Sequence, residues 1–341
     1  MKSYENVLIS SLTTMRIGGV ARHVLEIENE KDIPEAYAFA SAYWYPTYIV
    51  GGGANTIGRD EGLDGVILLN RLKGFNDSNG TLTIKAGESW DAVVKYACEK
   101  GYTGIEALSK IPGLVGASPA QNIGAYGQDV SAVLKSATAF DTARNKFITL
   151  ENKDFQFAYR RSIMNTTMKG RFFITSVTLE LKKGQMQRPF YNSMEKYIED
   201  SGWNDFSPLG VRELVSKIRA DKLPDPREKA SSGSFFKNVY LDPIEAEKAE
   251  EKGYPVHRGR DGNKINSAWF IEQCGFKGQL LYGMRVNAAA PLVLINESAG
   301  NYANLARARA LITSTVYDKF GYWLEQEPIE IINTKNRGAQ R

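Results

Sequence analysis

Cysteine and histidine are scarce in this chain. Among its 341 residues there are two of each, namely Cys98, Cys274, His23 and His257. The two cysteines lie far apart within helical patterns, so neither a disulfide framework nor a zinc site is predicted. Because thiolate and imidazole ligands are so few, we expect no metal site. Cys98 shares an apolar helix face with its neighbours, so we expect it to be buried in a core.

Long hydrophobic runs are also missing. No stretch of the sequence approaches the ~18 consecutive apolar residues of a membrane-spanning helix. Residues 1–15 contain Glu5 and an apolar run of three residues, so they lack the apolar centre of a signal peptide. We therefore expect a cytoplasmic protein with no membrane partner.

Neither sign of charge is in large excess. The formal net charge is +4 at pH 7, which gives no reason to expect a nucleic-acid partner but suits a locally basic pocket for an anionic ligand. A hydrophobic fraction of 43% and a charged fraction of 24% are typical of a soluble globular protein. The length exceeds that of one usual core, so two or three domains are expected.

Glycine, by contrast, is concentrated in residues 104–130. This stretch contains five glycines, and its charged residues are Glu106, Lys110 and Asp129. Glycine permits close approach of the main chain, and clustered main-chain N–H groups favour an anion such as a pyrophosphate. An alternative interpretation is a glycine-rich buried connection between two packed layers. The composition does not decide between the two.

A second glycine segment follows a predicted strand at 48–50 and has the sequence GGGAN at 51–55. Strand ends of this kind often hold phosphates in α/β units. The spacing is not that of the dinucleotide fingerprint, which needs spaced glycines that open a helix. A plain turn therefore remains the simpler interpretation of these residues.

Hydrophobic periodicity and capping residues predict the remaining elements. We predict further strands at 24–27, 66–69, 81–86, 135–140, 172–181 and 291–296. We predict helices that begin at caps Asn29, Ser89, Ser207, Asp242 and Asn301, and a short helix at 267–274. Residues 323–332 have strand character, and residues 333–341 are predicted to be disordered. The proline-rich break at 222–226 suggests a domain boundary.

Six motifs occur in a fixed order along the chain. They are TMRIGG at 14–19, YIVGGGAN at 48–55, IPGLVGASPAQNIGAYGQDV at 111–130, Tyr159-Arg160, KLPDP at 222–226 and GSFFKN at 233–238. In this combination the chain resembles the UDP-N-acetylenolpyruvoylglucosamine reductase (MurB) family over about residues 13–327. The 111–130 segment and GSFFKN are the most specific of these motifs.

The resemblance implies an α+β fold. It consists of a two-subdomain FAD-binding fold of the vanillyl-alcohol-oxidase/PCMH-like type, followed by a smaller α/β substrate-binding domain. The implied boundaries are 1–70 for the first FAD-binding subdomain, 71–219 for the second and 220–327 for the substrate-binding domain. The tail at 328–341 is expected to return to the first subdomain.

The implied activity is reduction of UDP-N-acetylglucosamine enolpyruvate to UDP-N-acetylmuramate in peptidoglycan precursor synthesis. FAD is the implied cofactor, NADPH the reductant and the UDP-sugar the substrate, and we expect a monomer. A polar insert at residues 190–205 resembles the longer form of the family, in which a tyrosine loop covers the substrate. Tyr191 is the candidate for that tyrosine.

Three catalytic residues follow from the resemblance. Ser234 is the expected proton donor, Arg160 is expected to hold the substrate carboxylate, and Glu327 to polarise it. Two positions depart from the family pattern, since Arg161 replaces an acidic residue and Gln326 replaces a proline. Because of the second departure, Glu325 is the alternative to Glu327. The alternatives without a catalytic role are a turn hydroxyl for Ser234, a surface ion pair for Arg160 and a solvated carboxylate for Glu327.

The cofactor and substrate contacts also follow from the resemblance. The residues expected to bind FAD are Gly51, Gly52, Gly53, Ala54, Asn55, Ser109, Pro112, Gly113, Gly116, Ala117, Ser118, Asn122 and Gly124. The residues expected to bind substrate are Tyr159, Tyr191, Lys222 and Asn238, with Lys237 as a less specific companion. Ala289 and Ala290 stand where some members have a glutamine, so one substrate contact is expected to be missing.

Two other functions remain open at this point. The first is another FAD oxidoreductase of the same fold, such as an alcohol or sugar oxidase. Many of those attach flavin through histidine or cysteine, and neither residue type lies in the glycine segments here. The second is a flavin- or nucleotide-sugar-binding protein without turnover, which the departures at Arg161, Ala290 and Gln326 would allow.

Overall fold

The computed structural model describes residues 1–259 and 262–333. The helices of these residues are α1 (Asp32–Ala42), α2 (Trp90–Glu99), α3 (Asn192–Ser201), α4 (Pro208–Lys222), α5 (Pro243–Glu251), α6 (Ser267–Gln273) and α7 (Tyr302–Phe320). None of the helices within the described ranges is long and apolar enough to cross a membrane.

The strands are short and numerous. In chain order they are β1 (Lys2–Leu8), β2 (Val20–Ile27), β3 (Thr47–Val50), β4 (Thr56–Gly58), β5 (Leu63–Asn70), β6 (Phe75–Ser78), β7 (Thr81–Lys85), β8 (Tyr102–Thr103), β9 (Gly124–Ala125), β10 (Gln128–Asp129), β11 (Leu134–Asp141), β12 (Lys146–Glu151), β13 (Phe172–Glu180), β14 (Lys182–Lys183), β15 (Ser231–Ser234), β16 (Val239–Leu241), β17 (His257–Gly259), β18 (Gly262–Ile265), β19 (Leu280–Leu281), β20 (Met284–Val286), β21 (Val293–Asn296) and β22 (Ile329–Ile331).

The chain forms two compact units, and neither is continuous in sequence. The first contains Met1–Asn6, Ala21–Gly52 and Asp64–Asp221, and the second contains Val7–Val20, Gly53–Leu63 and Lys222–Arg341. The second unit therefore receives two short segments from the N-terminal region. The finer division at residues 70, 219 and 327 stays a prediction.

The first unit contains two larger sheets. One has the strand order β1-β2-β5-β3, in which β3 and β5 are parallel, and α1 packs its buried Ile33 and Ala36 into the associated core. The other is antiparallel with the order β12-β11-β13-β7-β6, and α2 packs against it. Cys98 of α2 is buried there, as predicted, and burial raises the pKa of its thiol to about 12.

The second unit is built around helix α7. Its sheets have the orders β15-β21-β20-β19 and β16-β18-β17, and β22 pairs in parallel with β4. Apolar residues at helical spacing on α7, including Leu305, Ala308, Ile312 and Val316, lie in the core of this unit. These are among the positions that the sequence predicts to face inward.

Local capping explains where several helices begin. The Ser89 hydroxyl accepts a hydrogen bond from the N–H of Ala92, and the Asp242 carboxylate accepts one from Glu245 in a reciprocal capping box. Both starts are predicted by the sequence. The prediction of a cap at Asn29 is wrong, because α1 starts at Asp32, whose carboxylate accepts from the N–H of Asn29 instead.

Two predicted segments differ in the structure. The polar insert at 190–205 contains helix α3, whose Met194 and Ile198 are buried although the helix is polar on average. The strand predicted for 323–332 is confined to Ile329–Ile331, because residues 325–327 bridge to another segment of the unit. Of the residues 333–341 that are predicted to be disordered, 334–341 lie outside the described residues.

Candidate active site

In the first unit the two glycine segments lie side by side. A Cβ atom added to Gly52 would stand 3.2 Å from the Cα atom of Gly113, and one added to Gly51 would contact the Leu114 side chain at 3.5 Å. Gly113 has a φ of +126°, and none of the described residues lies within 4 Å of its missing Cβ. Bare main chain beside open space is what a pyrophosphate or flavin ring needs in order to approach closely. These residues therefore fit FAD.

Other glycines of the same segment serve protein packing instead. A Cβ atom on Gly116 would be 2.6 Å from the Cβ of Ala86, so this position must be glycine for the segment to dock. A Cβ atom on Gly124 would be 3.0 Å from the Cβ of Asp129. Gly116 and Gly124 agree with the interpretation of this stretch as a packed connection, and the binding of FAD by its main chain stays a prediction.

The side chains predicted to touch FAD in this segment are largely engaged with the protein. Ser109 Oγ donates to the carbonyl of Glu106 at 2.6 Å, and Ser118 Oγ donates to that of Val115 at 2.8 Å. Asn122 donates to the carbonyl of Ala158 and accepts from the N–H of Ser131. Each can therefore offer a ligand its main chain or a remaining acceptor site. Pro112 and Ala117 are exposed.

A buried ion pair holds the glycine-rich segment in place. Arg212 of α4 donates two hydrogen bonds to Asp91, of 2.7 and 2.9 Å, and a third to Ser109 Oγ at 3.1 Å. The N–H of Lys110 donates to the same carboxylate at 2.6 Å. Burial acts to raise the pKa of Asp91, but the hydrogen bonds from Arg212 and Lys110 outweigh it and hold that pKa below its ordinary value.

Arg160 lies in a tight turn next to Gly124. Its φ is +53°, its guanidinium lies 5.4 Å from the ring centroid of Tyr159, and its Nη1 atom is 3.5 Å from where a Gly124 Cβ would be. The Asn165 side chain donates to the carbonyl of Arg160 at 2.9 Å and fixes the turn. Arg160 is half-buried, whereas its neighbour Arg161 is exposed.

Sequence reasoning misses a second arginine in this neighbourhood. Arg219 of α4 hydrogen-bonds to Tyr126, and the Tyr126 ring packs edge-on against that of Tyr191 at 6.2 Å. Desolvation lowers the pKa of Arg219, and the positive charge of Arg160 acts in the same direction. The one signal in the sequence is the position of Arg219, one helical turn before Lys222. Two arginines that repel each other in one place favour an anionic ligand.

In the second unit Ser234 and Glu327 lie on neighbouring main-chain segments. The N–H of Glu327 donates to the carbonyl of Phe235 at 2.9 Å, and the N–H of Lys237 donates to that of Glu325 at 2.9 Å. Ser234 itself ends β15, whose partner is β21. Within residues 1–259 and 262–333 the Ser234 hydroxyl has no hydrogen-bond partner, so it is available to a ligand.

The glutamine that departs from the family pattern has a defined structural role. Gln326 accepts a 2.5 Å hydrogen bond from Arg309 and donates one of 2.8 Å to the carbonyl of Pro328. Arg309 also binds Glu330 at 2.6 Å, and Arg59 binds the other oxygen of that carboxylate at 2.6 Å. The Gln326 side chain therefore links the residue before Glu327 to the main chain after it, and Arg309 holds this link in place.

The alternative glutamate is differently placed. Glu325 is exposed and forms a 2.8 Å ion pair with Lys237, so that lysine is engaged at the surface. Asn238 accepts a hydrogen bond from the N–H of Ser267, and Lys222 is an exposed residue at the end of α4. Ala290, one of the two alanines where some family members have a glutamine, is buried.

The remaining predicted cofactor residues also lie in the second unit. Gly53 has a φ of +64°, and a Cβ atom there would overlap the carbonyl oxygen of Leu12 at 2.0 Å. Asn55 donates to the carbonyl of Glu327 at 3.4 Å and its own carbonyl accepts from the N–H of Ile329 at 2.9 Å. The GGGAN segment is therefore joined to the segment that carries Glu327.

Two family models match separate parts of the chain. Residues 21–151 match a model described as FAD binding domain, and residues 225–331 match one described as UDP-N-acetylenolpyruvoylglucosamine reductase, C-terminal domain. The protein named UDP-N-acetylenolpyruvoylglucosamine reductase from Escherichia coli (strain K12) is 33% identical over 322 residues, which cover 92% of either chain. That of Ralstonia nicotianae is 33% identical over 330 residues, or 93% of this chain and 96% of the relative.

A solved structure has a similar fold. The UDP-N-acetylenolpyruvylglucosamine reductase of Thermus caldophilus superposes with a TM-score of 0.67 at 21% identity, and the match covers 97% of this chain and 98% of that one. Together with the FAD-binding and C-terminal domain matches, this confirms the predicted α+β class with a PCMH-like FAD-binding fold.

Proposed function

Because this chain belongs to the UDP-N-acetylenolpyruvoylglucosamine reductase family, we propose that it reduces UDP-N-acetylglucosamine enolpyruvate to UDP-N-acetylmuramate, with FAD as cofactor and NADPH as reductant. The observation that carries this proposal is the identity of 33% over 322 residues with a relative of that name. The match of residues 225–331 to the family's own C-terminal domain supports the same activity. The reaction belongs to peptidoglycan precursor synthesis.

FAD, when bound, supplies the hydride, which no protein side chain can provide. The main chain at Gly51, Gly52 and Gly113 supports binding of the cofactor, because these residues lie together in the first unit and Gly113 adjoins open space. In the second unit, Gly53, Ala54 and Asn55 are the proposed contacts. The remaining predicted contacts, from Ser109 to Gly124, keep their proposed roles through main-chain atoms.

Addition of a hydride to the enolpyruvyl double bond leaves one carbon that must receive a proton. We assign this proton to Ser234, because its hydroxyl is half-buried and has no partner within the described ranges. A carbanion-like carbon is a strong base, so even a weakly acidic hydroxyl can protonate it. General acid catalysis of this kind typically contributes about 10²–10⁴-fold to a rate.

Negative charge grows on the substrate carboxylate as the hydride arrives. Arg160 suits this group, since a guanidinium can donate to two carboxylate oxygens at once. Glu327, as a carboxylic acid, is the proposed second donor to the same group. The exposed ion pair of Glu325 with Lys237 supports the choice of Glu327 over Glu325.

The UDP portion carries two phosphates and needs cationic and polar partners. We assign Lys222 and Asn238 to it, and we propose that Tyr159 and Tyr191 also contact the substrate. Tyr191 is 42% exposed, and its ring packs edge-on against that of Tyr126. Arg219, bonded to Tyr126, adds a further positive charge for the same anionic substrate.

We also propose that the enzyme works in the cytoplasm as a monomer, without a nucleic-acid or membrane partner. This agrees with a substrate that is a charged, soluble nucleotide sugar. The three-part division at residues 70, 219 and 327 is the proposed domain organisation, with the substrate-binding part after residue 219.

The test is oxygen-free mixing of the NADPH-reduced protein with UDP-N-acetylglucosamine enolpyruvate in a stopped-flow spectrometer. We expect a yellow protein whose flavin absorbance returns promptly, with formation of UDP-N-acetylmuramate. Return of the absorbance that requires oxygen would indicate another FAD oxidoreductase. Tight substrate binding with no product would indicate a binding protein, and a colourless protein that takes up no FAD would exclude the whole proposal.

A further inference from the structure

Two hydroxyl groups in the second unit are buried without a partner. Thr13 and Ser232 are each 6% exposed, and neither Thr13 Oγ1 nor Ser232 Oγ bonds to any residue of the described ranges. Most buried polar side-chain atoms have a hydrogen-bond partner, and each exception calls for an explanation. A ligand or an ordered water that bonds to both hydroxyls would supply that explanation.

The main-chain segments that carry the two hydroxyls meet at one place in the second unit. Thr14 donates through Oγ1 to the carbonyl of Ser231 at 2.6 Å and through its N–H to the carbonyl of Gly53 at 3.1 Å. A Cβ atom added to Gly53 would stand 2.8 Å from the Cα of Thr13. The main chain of residues 13–14, residue 53 and residues 231–232 therefore converges there.

The chemistry around these hydroxyls is that of a cofactor site and not of an ion site. None of Thr13, Ser232 and Gly53 carries charge, whereas a hydroxyl can donate to the carbonyl and phosphate oxygens of a flavin nucleotide and accept from its N–H and O–H groups. Gly53 begins the part of GGGAN that lies in this unit, and Ser232 precedes the proposed acid Ser234 by two residues. Of these two neighbours, Gly53 is itself a proposed FAD contact.

We propose that Thr13 Oγ1 and Ser232 Oγ hydrogen-bond to FAD. The inference rests on the FAD dependence proposed above and adds two residues that no sequence motif assigns. It also explains why a serine can occupy position 232 although its hydroxyl has no use within the protein.

The experiment uses Thr13→Val and Ser232→Ala, which remove one hydroxyl each with little change in shape. The apoprotein of each variant is titrated with FAD, and its melting temperature is measured without FAD. We expect the dissociation constant for FAD to rise about 3- to 10-fold for each variant, the size of one neutral hydrogen bond. The apoprotein should melt at the same temperature as wild type or higher, because a buried unpartnered hydroxyl has been removed.

Thr14→Val is the matched control, since it makes the same chemical change at a hydroxyl that has an internal partner. It should lower the melting temperature of the apoprotein. Thr13→Ser, which restores a hydroxyl, should recover most of the FAD affinity that Thr13→Val loses.

FAD affinities of Thr13→Val and Ser232→Ala within twofold of wild type would overturn the inference and assign the hydroxyls to water. A loss of apoprotein stability equal to that of Thr14→Val would also overturn it. In both cases the wild type still binds FAD, so the proposed function stands. Failure of the wild type itself to bind FAD would exclude both.

Discussion

The main-chain N–H of Glu327 donates a 2.9 Å hydrogen bond to the carbonyl of Phe235, the residue that follows Ser234. The proposed proton donor and the proposed carboxylate contact are therefore carried by paired main-chain segments, although 93 positions separate them in the sequence. A second bond, from the N–H of Lys237 to the carbonyl of Glu325, extends the pairing. A shift of one segment is expected to move both functional side chains.

Ser234→Ala tests the proton donor. The variant should slow oxidation of the reduced flavin by the enolpyruvyl substrate by about 10²–10⁴-fold, because the acid is lost. Flavin reduction by NADPH should be nearly unchanged, and so should the melting temperature, since the hydroxyl has no partner within the described ranges. Stopped-flow measurement of the two half-reactions checks this. Equal losses in both would contradict the assignment.

Gln326→Ala tests how Glu327 is positioned. The change removes the hydrogen bonds to Arg309 and to the carbonyl of Pro328, so the turn that carries Glu327 loosens. We expect kcat to fall about 3- to 10-fold, the value of one hydrogen bond, with little change in the KM for NADPH. Steady-state kinetics with each substrate varied in turn give the separation.

Gln326→Pro is the informative companion to this variant. In the part of the chain that the structure describes, the N–H of Gln326 takes no part in the pairing, so proline costs no main-chain hydrogen bond there. Its fixed φ restrains the same turn in another way. Activity near that of wild type is expected, and a loss as large as in Gln326→Ala would show that the turn is not what matters. Glu272→Gln, at an exposed ion pair, serves as the inert control.

Arg219→Met tests whether Arg219, the second arginine of the candidate site after Arg160, helps to bind the anionic substrate. The change keeps much of the side-chain volume and removes the charge, so the KM for the UDP-sugar should rise roughly 10-fold, the scale of a charged hydrogen bond. Binding should also become less sensitive to salt. Lys217→Met, an exposed cation on the same helix, should leave this KM unchanged. An Arg219→Met enzyme with wild-type KM and salt dependence would exclude the role.

Short-range signals predicted much of this fold. Ser89 and Asp242 cap helices as expected, because an N-cap is satisfied by residues within three positions of it. The buried face of α7 likewise follows from the spacing of its apolar residues.

Long-range relationships could not be predicted in this way. The Gln326 side chain is held by a hydrogen bond from Arg309, which lies 17 positions earlier in the sequence. Arg309 is held in turn by Glu330, whose carboxylate also binds Arg59. Helix α3 escaped prediction because its buried Met194 and Ile198 are embedded in a polar sequence. Such features depend on which segments meet in three dimensions, and a local sequence pattern contains no information about those contacts.

The pair of Asp91 and Arg212 should make stability depend on pH in the acid range. Burial alone would raise the pKa of Asp91, but its hydrogen bonds outweigh this and the net shift is downward. A group with a depressed folded-state pKa stabilises the native state above its unfolded-state pKa, which is about 3.9 for aspartate. That contribution is lost as the pH falls through the lower, folded-state pKa.

Asp91→Asn therefore gives a prediction with a defined pH window. At pH 7 the variant should lose about 1–3 kcal/mol of unfolding free energy, because Arg212 stays buried without its charged partner. The difference from wild type should shrink progressively once the pH falls below about 4. Urea unfolding at a series of pH values measures it. Glu250→Gln, which breaks the exposed pair with Arg258, should have a much smaller effect at pH 7, and a pH-independent loss in Asp91→Asn would mean that packing and not charge is responsible.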